Sequence, residues 1–280
     1  MFFRPKLLPL ILLVLIFSYS CSEYQKVLKK PNSNAKYQLA EKLYAEGDFK
    51  RANRLLEQIA PSYVGKPQGE RVMFFFANSY YEIEDYNFAG YQFERFLKSY
   101  PKSDKAGEAS FLGAKSYYML SPRYSVDQTD TDKALTKLQL FINSYPNSEH
   151  LPEANIMAAE LRTKKEKKEF EVAKQFTKLG KSYIMNYSIS AIAALDNFIN
   201  DNPGSIYREE ALYLKVQATT NLALNSSEGK KQERLNDARV AHADLFKNYP
   251  ETEYAEDANK LVEEVNNELK LYSEQENLSK

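Results

Sequence analysis

The chain has 280 residues, 38 of them basic and 38 acidic, a formal net charge of zero, one cysteine and no tryptophan. An even, well-mixed charge balance is the wrong electrostatic footprint for a nucleic-acid binder, and a single cysteine excludes an intramolecular disulfide or a thiolate metal centre. The length suits one or two ordinary domains, but an array of repeats escapes such a count.

Residues 1–20 read as a signal peptide. Arg4 and Lys6 precede an apolar stretch from Leu7 to Phe17, and SYSC follows, ending at Cys21. An apolar core of about eleven residues is roughly half of what crosses a bilayer as a permanent helix. A lone cysteine after a small residue at such a point resembles the lipobox of bacterial lipoproteins. That resemblance implies lipid attachment at Cys21 by a diacylglycerol thioether with further acylation such as palmitate. The plainer reading is an ordinary cleaved leader with an incidental cysteine. Residues 21–34 show little periodicity and carry Pro31 among small polar residues, so they are expected to be a lipid-anchored tether.

Four near copies of one phrase follow: FLKSYPKSDKAGEA from Phe96, FINSYPNSEHLPEA from Phe141, FINDNPGSIYREEA from Phe198 and LFKNYPETEYAEDA from Leu245. The stretches between them have apolar residues spaced at three and four, a helical period. The phrase is then punctuation between helices. Pro101, Pro146, Pro203 and Pro250 stop one helix, and Ser103, Ser148, Ser205 and Thr252 are placed to cap the next. A shift of the segment from Tyr37 by about one repeat length, and again by the same, superposes Tyr37 on Phe74 and Phe111, Ala40 on Ala77 and Ala114, and Tyr44 on Tyr81 and Tyr118.

Small alanines at fixed positions with large partners around them resemble the tetratricopeptide repeat, best between Glu70 and Pro101, where Ala77, Tyr80, Tyr86, Ala89, Phe93, Phe96 and Pro101 keep that family's spacing. The expected fold is therefore all-α, a tetratricopeptide-repeat solenoid of about five helix pairs with a C-terminal closing helix. The repeats are expected at 35–66, 69–101, 106–146, 170–203 and 207–250, an extra helical stretch at 151–169 and a closing helix at 253–273. As domains, these group into N-terminal repeats at 35–146, C-terminal repeats and closing helix at 147–273, and a tail at 274–280.

The third unit carries an acidic insertion, LSPRYSVDQTDTDK at 120–133. The run from Ser125 to Asp130, followed by Ala134, Leu138, Phe141 and Tyr145-Pro146-Asn147-Ser148, resembles the BamD family, lipoprotein subunits of the machinery that folds β-barrel proteins into the outer membrane. This resemblance implies a non-enzymatic scaffold and substrate receptor, lipid-anchored to the outer membrane and facing the periplasm. Its implied partners are unfolded outer-membrane proteins, a β-barrel assembly catalyst with periplasmic repeat domains, and the membrane through the lipid. Nucleic acid is not among them. The competing reading is a periplasmic tetratricopeptide scaffold that coordinates peptidoglycan synthesis or envelope constriction.

Candidate binding residues follow from the helical rows. Tyr37, Glu41 and Tyr44, then Phe74, Asn78 and Tyr81, then Phe111, Lys115 and Tyr118 stand at i, i+4 and i+7 on three first helices. They are expected to line a peptide-binding groove over repeats 1–3, the alternative being that the aromatic residues are core. The C-terminal repeats are expected to dock the partner. Asp127, Asp130 and Asp132 lack the glycine and terminal glutamate of an EF-hand loop, so a solvated loop with Asp132 as a helix cap is expected rather than a metal site. The basic run from Arg162 to Lys168 reads mainly as an exposed helix face. His150 and His242 have no nucleophile or ligand motif beside them, and no Gly-rich phosphate loop appears, so neither catalysis nor a cofactor is expected.

Overall fold

The computed structural model describes residues 23–182 and 185–278. The leader and Cys21 lie outside the described residues. Within them the chain is all-helical. A short helix, α1, covers 23–29. It is followed by α2 (Ser33–Ala45), α3 (Phe49–Tyr63), α4 (Gly69–Glu82), α5 (Tyr86–Ser99), α6 (Ala106–Leu120), α7 (Thr129–Ser144), α8 (Leu151–Gly180), α9 (Met185–Asp201), α10 (Arg208–Leu224), α11 (Glu228–Asn248) and α12 (Ala255–Leu278). Each helix from α2 to α7 packs on its chain neighbour, as do α9 to α12. Alternate helices α2, α4 and α6 also touch, and so do α10 and α12. This is the stacking of helix pairs that a tetratricopeptide-type repeat requires.

The punctuation works at the level of single hydrogen bonds. Helices α5, α7, α9 and α11 end two residues before Pro101, Pro146, Pro203 and Pro250. The next residue's N–H still closes the last turn, as in Tyr100 N to Phe96 O at 2.8 Å and Tyr249 N to Leu245 O at 2.8 Å. Proline then supplies no N–H to continue the ladder. Ser103, Ser148, Ser205 and Thr252 do not sit at the N-cap itself. Their hydroxyls accept the N–H two residues on, at 2.9, 3.2, 3.2 and 3.3 Å, and their carbonyls accept the N–H three residues on. The hydroxyl therefore locks a turn just ahead of the helix. The alanines closing the phrase, Ala109, Ala154, Ala211 and Ala258, are fully buried at 0% exposure. No larger side chain fits there without overpacking.

The chain packs as two compact units. The first comprises the residues up to Pro122 with Asp127–Leu161, the second Arg123–Val126 with Arg162–Lys280. The first unit holds two apolar clusters. One is centred on Leu55, Leu56, Ile59, Met73, Phe74, Phe93 and Phe96, the other on Phe111, Leu138, Phe141, Met157 and Leu161. The second unit is built around Phe170, Leu195, Phe198, Ala211, Val216 and Leu245, with a smaller cluster at Leu235 and Val265.

Three sequence expectations are revised. The stretch expected at 151–169 and the first helix of the fourth repeat are one continuous α8. Its early residues Ala154, Met157, Ala158 and Leu161 belong to the first unit's core, its later Phe170 and Ala173 to the second's. The expected tether contains α1, with Tyr24 buried at 7% exposure and Val27 and Leu28 packed on the first cluster. Its seven residues are too few for a stable helix in isolation, so tertiary packing holds it. Finally, Asp132 does not cap α7: the N-cap is Gln128, and Asp127, one residue ahead of it, accepts the Thr129 N–H at 2.9 Å and locks a turn before the helix.

Candidate functional site

Of the nine residues expected on the binding face, Phe74 and Phe111 are core. Phe74 is 6% exposed and meets Phe93 and Phe96 edge-on, with centroids 6.2 and 5.6 Å away. Phe111 is 2% exposed, packs on Phe141 and stacks at 4.3 Å on the imidazole of His150. In the second and third rows the first position is thus covered by the neighbouring helices, whereas Tyr37 in the first row is half-buried.

The polar middle positions bridge neighbouring repeats. Glu41 on α2 pairs with Arg71 on α4 at 2.7 Å. Asn78 on α4, nearly buried, donates to the Tyr44 hydroxyl and reaches Glu82 at 3.4 Å. Lys115 on α6 pairs with Glu153 on α8 at 2.8 Å. That bond is the main reason the Lys115 pKa is raised; burial opposes it, and the Tyr81 hydroxyl adds to it. The third positions, Tyr44, Tyr81 and Tyr118, are half-buried. Tyr44 stacks on Phe75 at 4.1 Å, Tyr81 meets Tyr86 edge-on at 5.6 Å, and Tyr118 donates to the Glu160 carboxylate on α8. The Glu160 bond, with burial behind it, pushes the Tyr118 hydroxyl up to about 12. Tyr37 is half-buried, its ring 5.7 Å from Tyr63 and its hydroxyl 3.5 Å from Glu41. Seven of the nine residues thus form one band of aromatic rings and polar bridges across α2, α4, α6 and the start of α8.

Sequence reasoning missed a fourth row, in the second unit. Phe170 and Lys174 repeat the first two positions: Phe170 is buried against Phe198 and Tyr207, Lys174 lies 5.3 Å over its ring, and Lys174 pairs with Glu210 at 2.6 Å. The parallel with Lys115, 5.6 Å over Phe111 and bound to Glu153, is close. The signal was present, since Glu153 and Glu210 are the same acidic letter of the repeated phrase. At the third position the second unit has Thr177, only 3% exposed, bonded to its own helix at Ala173 O. A tyrosine with an accessible edge is therefore what the first unit adds.

The insertion and the basic run account for each other. Ser121, Thr131 and the buried Gln128 form a polar knot, at 2.6 Å between the two hydroxyls and 2.8 Å from Thr131 to Gln128. Lys168 donates to the Val126 carbonyl at 2.8 Å, and Lys167 sits 4.7 Å over the Tyr124 ring. His242 bonds Asn259 at 2.9 Å beside Phe246, a packing role like that of His150. Among the described residues no group of three or more acidic, histidine or cysteine side chains is placed to hold a metal, and no helix is long and apolar enough to cross a membrane. A cavity of about 580 Å³ in the second unit lies among Ile189, Ile192, Val240, Lys215, Lys230 and Arg234, and two of its three cations are engaged: Lys215 with Asp196 at 2.7 Å and Arg234 with Ser226 at 2.6 Å.

Comparison with known proteins finds a family and curated relatives. The family described as "YfiO: Outer membrane lipoprotein" matches residues 29–186 and 180–274. The chain is 25% identical over 169 residues to the outer membrane protein assembly factor BamD of Caulobacter vibrioides, covering 60% of this chain and 50% of that protein. It is 23% identical over 148 residues to the outer membrane protein assembly factor BamD of Helicobacter pylori, covering 51% of this chain and 66% of that one. The match thus spans half of one relative's length and just under two thirds of the other's.

Proposed function

The chain belongs to the YfiO family of outer membrane lipoproteins, and on that premise we propose that it is a non-enzymatic scaffold and substrate receptor in the assembly of outer-membrane β-barrel proteins. Lipid at Cys21 would hold it to the outer membrane facing the periplasm. The second unit would dock the barrel-forming catalyst. The first unit would receive an extended segment of the unfolded barrel protein along Tyr37, Tyr44, Tyr81 and Tyr118.

The observation that carries the substrate reading is the contrast at the third row position. The cation-to-acid bridge recurs in both units, so it serves the scaffold; the tyrosines at 44, 81 and 118 exceed what the scaffold needs, because Thr177 suffices at the equivalent place. Transmembrane barrel strands alternate apolar and polar side chains and end in aromatic girdles. Such a segment, extended, can lay rings against the accessible tyrosine edges.

A photo-crosslinking amino acid placed at position 81 or 118 of the full-length protein in its own cells tests this. The reading expects adducts with precursor barrel proteins at both positions and none at position 177. Crosslinks to peptidoglycan synthases or division proteins would contradict it.

A further inference from the structure

The short helix α1 has two unlike faces. Tyr24, Val27 and Leu28, at i, i+3 and i+4, pack on the first unit's core, while Lys26, Lys29 and Lys30 are exposed. None of these three lysines has an ion-pair partner among the described residues. Tyr24 is clamped onto α3: the Arg51 guanidinium lies 5.7 Å over its ring, and Arg54 is close enough to act on its hydroxyl. Burial of the ring is the larger influence on that hydroxyl. Arg51 is itself engaged by Asp48, whereas Arg54 is exposed and pairs with no acid among the described residues. The acids on this side are Glu23, exposed on α1, Asp48, which also caps α3, and Glu57 on α3. The cations therefore remain in excess.

Cys21 precedes Tyr24 by three residues, and three residues of chain reach at most about 10 Å. A lipid on Cys21 cannot let the folded body stand far from the bilayer, since the clamp at Tyr24 holds the start of α1 against α3. We propose that Lys26, Lys29, Lys30 and Arg54 form a cationic collar that seats the first unit on anionic phospholipid headgroups beside the anchor. This rests on the lipid-anchor reading above. The collar would set which side of the first unit meets the membrane, something a flexible tether could not do. Each cation near an anionic surface contributes roughly fivefold in affinity, an attraction confined to about one Debye length.

The test uses the full-length protein, extracted from its own membranes and reconstituted in vesicles of phosphatidylcholine alone or with a third phosphatidylglycerol. An amine-reactive reagent is applied and lysine modification is read by mass spectrometry, with Lys247 on α11 as the internal control. In the anionic vesicles Lys26, Lys29 and Lys30 are expected to react at least fivefold more slowly than in the neutral ones, and Lys247 equally in both. Added salt should remove the difference. Equal reactivity of all three lysines in both vesicles overturns the proposal. The mass of the Cys21 peptide reads the anchor separately. An acylated Cys21 without lysine protection sinks the collar alone, while an unmodified Cys21 with protection sinks the anchor and leaves the collar.

Discussion

The first unit and the second solve the same packing problem with different side chains on the exposed edge of their first helices. In both, an aromatic residue is buried, a lysine lies over its ring, and that lysine reaches an acid on a later first helix: Phe111, Lys115 and Glu153 in one, Phe170, Lys174 and Glu210 in the other. Beyond that bridge they diverge. The first unit sets Tyr118 half-exposed against Glu160, and the second sets Thr177 inward on its own backbone. A feature shared by both units is most simply explained by folding, and a feature confined to one is a candidate for recognition. By that criterion the lysine bridges are structure and the tyrosines are function.

The comparison can be broken most forcefully in the cores. Phe96→Ala in the first unit and Phe170→Ala in the second each remove a ring buried at 0% and 1% exposure, and each should cost about 3–5 kcal/mol. Hydrogen exchange read by mass spectrometry should show Phe96→Ala loosening α4 and α5 while α10 and α11 keep their protection, with the reverse for Phe170→Ala. Equal loss of protection throughout from either variant would mean that the two units do not unfold separately.

A smaller effect separates the polar bridges. Tyr44→Phe removes the acceptor for the Asn78 amide, leaving that nearly buried group only a long contact to Glu82, and should cost about 1–2 kcal/mol in denaturant titration. Smaller again are the lysine bridges. The side chains of Lys115 and Glu153 are 29% and 47% exposed, those of Lys174 and Glu210 27% and 29%. Double-mutant cycles on the two pairs should therefore give similar couplings of about 0.5–1 kcal/mol. A coupling confined to Lys115 and Glu153 would undo the claim that this bridge is common scaffold.

The mildest prediction concerns acid. Glu94 accepts from Tyr117 at 2.8 Å and pairs with Lys137 at 2.9 Å. Burial tends to raise its pKa, but these two bonds together outweigh burial and hold it below the usual 4.5. Because the folded pKa is the lower one, its contribution is fully present above about pH 5 and lost as pH falls through the folded value. Thermal melts between pH 6 and 3 should decline less for Glu94→Gln than for the parent, with the difference confined to the first unit.

Much of this fold was legible because it was written four times. The Pro-x-Ser phrase located the helix ends, and the alanines at 109, 154, 211 and 258 located the tightest contacts. What the sequence hid has particular causes. Tyr24, Val27 and Leu28 keep helical spacing, but a seven-residue helix is too short for periodicity to stand out beside Pro31. Continuity of α8 was obscured because its charged middle, Arg162 to Lys168, has no apolar stripe; two of its lysines instead hold the insertion at Tyr124 and Val126. Phe74 and Phe111 were misplaced because residues at i, i+4 and i+7 share one helix face, so the spacing marks the row but not how deeply neighbouring helices cover each member. The fourth row went unseen because Thr177 breaks the aromatic pattern.

The most direct measurement of the central claim is a titration of the full-length protein with a peptide copying the aromatic C-terminal strand of an outer-membrane barrel protein. It would compare the parent with Tyr81→Ala/Tyr118→Ala and, as control, Thr177→Ala. The account predicts that the tyrosine pair weakens binding by about tenfold or more, each aromatic contact contributing about 0.5–1.5 kcal/mol beyond its burial, while the melting temperature falls by no more than a few degrees. Thr177→Ala should leave binding unchanged. Unchanged binding in the tyrosine variant, or a loss of binding matched by unfolding, would contradict the account and return the tyrosines to the scaffold.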